Sequence, residues 1–105
     1  MGAPYGVQGH PKGYARYTVS NTAISLDDTP TAGVVLPDGA ITALIQNLDG
    51  TNDARWRDDG SDPTASEGMR LEAGASMAYT GDLSVFRMIR EDAADVSVVI
   101  LYYGL

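Results

Sequence analysis

Asp58, Asp59, Asp62 and Glu67 crowd around Gly60 and Pro63 in the stretch RWRDDGSDPTASEGMRL, residues 55–71, directly after an Arg-Trp-Arg triplet. Carboxylates this dense suit three kinds of chemistry. A flexible acidic loop is a calcium site, because calcium takes several oxygen ligands, and DDGSD supplies three carboxylates. An EF-hand, however, spaces its ligands at alternate positions and closes on a distal Glu, a pattern this loop does not follow. Two carboxylates at a set separation are the acid and base of a glycosidase. With 14 acidic residues in the chain, some pair meets any distance, so spacing nominates none. The third reading is a turn. Asp59-Gly60 and Asp62-Pro63 are turn dipeptides whose Asp side chains bond nearby backbone amides. Arg55 and Arg57 then offset part of the charge, at roughly 0–1 kcal/mol per exposed pair. The turn is the expectation, with calcium over Asp58–Asp62 as its rival.

Other reactive constellations are missing from the sequence. His10, the only histidine, has no nucleophile pattern near it. No GxSxG elbow, phosphate-cradling loop or HExxH pair occurs. The expectation is therefore no catalytic residue, no cofactor and no metal: not an enzyme. Trp56 and the six tyrosines offer sugar-stacking surfaces, as in a carbohydrate-binding module. Yet Trp56, Tyr17 and Tyr79 lie in strand-like runs, where an aromatic is core or interface more often than a platform. Tyr102 and Tyr103 face opposite ways along a strand, so both cannot line one surface.

The elements that position these residues are strands. Residues 1–13 are rich in glycine and proline with almost nothing to bury, and are expected to form a flexible arm, ordered only against a neighbouring surface. From Tyr14 onward, strand-like runs alternate with turn chemistry: 14–20, 23–26, 40–48, 54–58, 69–73, 76–80, 83–90 and 95–103. In YARYTVS, Ala15, Tyr17 and Val19 share one face, and Tyr14, Arg16 and Thr18 the other. LPDG (36–39) is a β-turn signal, because Pro37 presets φ and Asp38-Gly39 supports the reversal. About eight short strands at regular spacing predict an all-β chain, a compact antiparallel β-sandwich of jelly-roll-like form over residues 14–105. The last run is apolar on both faces: Val96, Val98, Ile100 and Tyr102 on one, Val99, Leu101 and Tyr103 on the other. Such a strand is covered on both sides, either by another subunit or, as an ordinary central strand, by a loop.

Bulk properties narrow the partners. A chain of 105 residues with no cysteine is one domain without a disulfide framework or thiolate zinc site. Seven basic against 14 acidic side chains give a net charge of −7, which argues against nucleic acid and against an anionic membrane surface. No apolar h-region opens the chain, and Tyr5 and Gly6 stand where a myristoylation signal has a small hydroxyl residue. The expectation is a soluble protein made in the cytoplasm.

One ordered set of short motifs spans the C-terminal half: RWRDDG (55–60), PTAS (63–66), GMRL (68–71), FRMIR (86–90) and LYYG (101–104). As a set it resembles small virion-associated proteins of tailed bacteriophages. FRMIR departs from that pattern by placing Arg87-Met88 ahead of Ile89, and the N-terminal arm has no counterpart. The resemblance implies a particle component rather than a catalyst: a capsid decoration or cement protein on the virion, homo-oligomeric, binding the major capsid protein. The arm and the last strand supply the interface candidates Tyr5, His10, Tyr14, Val99, Leu101 and Tyr103, the arm to lie along neighbouring capsid subunits and the outer face of 95–103 to join protomers. The alternatives are a tail, neck or baseplate subunit, or a carbohydrate-binding module for host attachment.

Overall fold

A computed structural model describes residues 9–105. Its strands are β1 (His10–Val19), β2 (Ile24–Ser25), β3 (Ala32–Gly33), β4 (Ala40–Asn47), β5 (Ala54–Arg57), β6 (Met69–Leu71), β7 (Ser76–Tyr79), β8 (Arg87–Arg90) and β9 (Val96–Gly104). They form a five-stranded sheet in the order β3-β1-β9-β4-β7 and a four-stranded sheet in the order β2-β8-β5-β6. All pairings are antiparallel.

The order has a simple origin. Apart from β3, a short addition at one edge, the strands pair as β5 with β6, β4 with β7, β2 with β8 and β1 with β9. These are nested partners of one long hairpin whose tip is the acidic loop after Arg57. Rolled up, that hairpin places alternate pairs in opposite sheets, which is the jelly roll. The expected sandwich is thus present, with nine strands in place of about eight.

Alternation decides which side chains meet between the sheets. Ala15, Tyr17 and Val19 of β1 are fully buried, as are Ala43 and Ile45 of β4 and Val96, Val98, Ile100 and Tyr102 of β9. Leu71, Met88 and Phe86 close the core from the other side. Phe86 stacks on Trp56 with ring centroids 5.2 Å apart and meets Tyr79 edge-on at 4.9 Å. The LPDG turn forms as its residues dictate: the Ala40 N–H donates to Pro37 O at 3.2 Å, and Gly39 takes φ +80°.

Two expected boundaries move. Composition places the end of the arm at residue 13, but β1 starts at His10, pairing His10 with Gly104 and Pro11 with Tyr103. Pro11 is tolerated because the register shifts between Pro11 and Gly13, a bulge that relieves the missing donor. The partner that orders these residues lies at the far end of the chain, so composition does not reveal it. The other change is in 83–90. Leu83–Val85 is a 3-10 turn, because the Asp82 carboxylate accepts from Ser84 N at 3.0 Å and caps it, and the strand begins only at Arg87.

Tyr17 and Tyr102 stand side by side in the core with different obligations. Tyr17 OH is within donor reach of Leu26 O at 2.8 Å and Asp28 O at 3.1 Å, joining β1 to the turn after β2. The Tyr102 hydroxyl is buried beside it without a well-formed hydrogen bond. Burial pushes the ionisation of both phenols up. Tyr17→Phe is expected to cost about 1–2 kcal/mol, since it strips a buried carbonyl of its donor. Tyr102→Phe removes a hydroxyl whose neighbour, Tyr17 OH, already has backbone partners, and should cost less, within about 1 kcal/mol of neutral. Urea denaturation of the two variants checks the contrast, and an equal loss would contradict it.

Candidate functional site

The acidic loop, followed atom by atom, binds itself. Arg57 Nε donates to Asp59 at 3.0 Å, and that bond holds the Asp59 carboxyl below its usual range. Arg87 reaches both Asp62, at 3.2 Å, and the carbonyl of Gly60, also at 3.2 Å. Tyr79 OH donates to Asp58 at 2.7 Å, pinning the start of the loop to β7. Thr64 and Glu67 close a small turn through reciprocal backbone bonds of 2.9 and 3.3 Å. Arginines therefore account for two of the four carboxylates, Asp59 and Asp62, while Asp58 is held by a tyrosine hydroxyl alone. A second acidic group, Asp53, Glu91 and Asp92, brings its oxygens within 4.8 Å of one another. Here Arg70 donates to Glu91 at 2.9 Å, and Arg55 Nε lies 2.8 Å from the same carboxylate, as an ion pair too bent for a hydrogen bond. Guanidinium groups thus pair with Glu91 and Asp53 of this group.

The two sheets differ sharply on their outer faces. Every one of the 14 acidic residues lies outside the strands, in the connections. On the outer face of the four-stranded sheet, Arg55, Arg57, Arg70 and Arg87 all find carboxylates from those connections, and Arg90, on the other face at the end of β8, pairs with Asp95. On the five-stranded sheet the basic residues are Lys12 and Arg16, and among the described residues neither is in an ion pair. One sheet is armoured with matched charge. The other is largely carbon.

Register shows how that carbon is arranged. Tyr14 pairs with Leu101, Leu101 with Leu44, and Leu44 with Ala78, so one apolar row crosses four strands. The next row carries Arg16, Val99, Gln46 and Ser76. On the other side Pro11, Tyr103 and Thr42 are in register. A depression of about 330 Å³ lies among Tyr14, Leu44, Gln46, Val99 and Leu101. Tyr14 is 45% and Leu101 40% exposed, high values for large apolar groups on the middle strands of a sheet.

Of the interface candidates, Tyr14, Val99, Leu101 and Tyr103 therefore share one surface. His10 stands at its end, opposite Gly104. Tyr5 lies outside the described residues. The choice for β9 between an ordinary central strand and one awaiting a second cover is answered in part: β9 is central, between β1 and β4, and its outward Leu101 is still exposed. Leu44 and Arg16 belong to the same surface, yet their sequence context did not single them out. The alternation of AITALIQNL separates Leu44 from buried Ile45, but says nothing of which strand lies beside it.

No helix of the described residues is long and apolar enough to cross a membrane. Comparison with protein-family models, curated proteins and solved structures finds no match.

Proposed function

We propose that the chain is a structural protein of a tailed-bacteriophage particle: a decoration or cement subunit that binds the major capsid protein through the outer face of its five-stranded sheet and acts as a homo-oligomer on the head surface. The observation that carries this reading is that face itself, an apolar row from Tyr14 to Ala78 in a sheet without a single carboxylate, on a chain of net charge −7. The motifs that resemble virion proteins support it, since they fall on structural elements: β5, the hairpin tip, β6, β8 and β9. The jelly roll is compatible with viral structural roles but serves lectins and cupins as well, so the fold alone does not choose.

Size sets how such a subunit holds on. Five strands about 4.8 Å apart and a central strand of nine residues make a face of at most roughly 700 Å². A stable two-body interface buries about 800 Å² per partner. One copy thus binds modestly, and many copies on a repeating shell gain through multivalency. Arg16 and the rim residue Lys12 favour a capsid surface that offers carboxylates around an apolar centre.

Quantitative mass spectrometry of the purified particle tests the assignment. A copy number near that of the major capsid protein is expected. A few copies per particle would move the subunit to the neck or tail, and its absence from the particle would overturn the proposal. The arm is tested with residues 1–8 removed, because His10–Gly13 belong to β1 and cutting there damages the sheet. That truncation should leave the melting temperature within a few degrees and weaken docking. Undiminished docking would remove the arm from the interface.

A further inference from the structure

The sandwich is open at one corner. β6 is three residues long, and its Met69, in register with Trp56, is 62% exposed. Trp56 rests against Phe86 and Tyr79 on its core side but remains only partly buried, and it lines a cleft of about 570 Å³ with Met69. That volume is in the range of small-molecule pockets.

The polar groups at the rim are unbalanced. Arg57 is committed to Asp59, so this pair adds no net charge. Asp58 accepts one bond from Tyr79 and has no ion pair, and the Glu67 carboxylate accepts no hydrogen bond among the described residues. The cleft thus joins an indole and a thioether wall to the carboxylates of Asp58 and Glu67, neither of which is in an ion pair, and its only cation, Arg57, is already held by Asp59. An ammonium on a short carbon stem needs only what is present: carboxylates for the charge and an aromatic ring for the cation and its stem. Gly68 keeps the cleft's wall close. Its φ is +141°, and a Cβ there would stand 3.0 Å from Trp56 O and 3.3 Å from Pro63 Cβ, so a side chain would push the β6 approach away from Trp56.

We propose that this cleft binds a primary ammonium group carried on an aliphatic carbon, such as a lysine side chain or an amino sugar, between Trp56 and the carboxylates of Asp58 and Glu67. The site lies at the hairpin tip of the four-stranded sheet and is separate from the proposed docking face, so either can fail alone.

Trp56 is the only tryptophan, which makes its fluorescence a direct reporter of the cleft. The full chain is titrated with an N-acetyl-lysine amide and with glucosamine, each beside its N-acetylated counterpart. A saturable change is expected with at least one free amine, weaker on the order of tenfold for the acetylated form, since acetylation removes both the ion pair and the cation–π contact. Which amine responds identifies the source. Glu67→Gln, at an exposed position whose carboxylate bonds nothing, should keep the melting temperature and weaken binding about threefold. No saturable change with either amine would overturn the proposal. Equal binding of the acetylated forms would also overturn it, in favour of a neutral saccharide. An unaltered affinity in Glu67→Gln would overturn the placement.

Discussion

Asn47→Ala is expected to cost about 3–5 kcal/mol, a large share of the stability of a domain this small. Asn47 ends β4 and is 0% exposed, the only fully buried polar residue besides the core tyrosines among the described residues. Its amide nitrogen donates to Asn52 O at 3.0 Å and Leu71 O at 3.1 Å, and its carbonyl accepts from Asp49 N at 2.8 Å. Those partners belong to the connection after β4 and to β6, so one side chain ties the two sheets together where the chain crosses between them. Alanine leaves two carbonyls and an N–H without partners, at about 1–3 kcal/mol each before relaxation.

Asn47→Asp sharpens the test by keeping the shape and changing the charge. A carboxylate there would face the Asn52 and Leu71 carbonyls in a buried site, so its folded pKa is raised above the unfolded value of about 3.9. A raised pKa makes the contribution to stability full below the unfolded pKa and lost as pH rises through the folded one. The variant's deficit relative to the parent should therefore grow from about pH 4 toward neutrality. The parent itself loses stability in the opposite direction. Asp49, Asp59 and Asp82 have lowered pKa values, from backbone bonds of Thr51 and Asn52, from Arg57, and from Ser84 respectively. Their contributions fade as pH falls through those values, so the informative quantity is the difference between the two proteins. A deficit that does not change with pH would show that Asn47 is not held as described.

Much of this architecture was legible because alternation is a local signal. In β1 the separation of Ala15, Tyr17 and Val19 from Tyr14, Arg16 and Thr18 is the observed division between core and surface. The turn at Pro37-Asp38-Gly39 is likewise written in residue types. What escaped depends on distant partners. His10–Gly13 look like a tail until β9 is laid beside them, and β3 consists of Ala32 and Gly33, two residues without strand propensity that are held by β1. The candidate surface followed the same rule. Tyr14, Val99, Leu101 and Tyr103 could be named from two strands, but Leu44 joins them only through the β4–β9 register. The corner cleft was invisible as a cleft, since nothing in Met69's context says that its strand stops after three residues.

Neighbouring residues on β9 provide the strongest separation of folding from docking. Ile100 is fully buried and Leu101 is 40% exposed on the opposite face. Ile100→Ala should cost about 2–5 kcal/mol of stability, from lost transfer energy and the cavity left behind. The fraction that remains folded should bind particles as the parent does. Leu101→Glu should do the reverse. Its stability cost is near 1 kcal/mol, the scale of strand propensity. A charge buried without a partner at the centre of an interface costs about 2–5 kcal/mol, a loss of affinity on the order of a hundredfold. Co-sedimentation with particles stripped of this protein, beside urea denaturation of the free variants, reads both quantities. Leu44→Glu, one strand away in the same row, serves as the second variant should Leu101→Glu unfold. If either glutamate variant folds and decorates particles normally, the outer face of the five-stranded sheet is not the docking surface. If both variants lose docking while Ile100→Ala retains it, the apolar row is what the partner holds, because burial in the core and exposure on the face would then have been altered one at a time on the same strand.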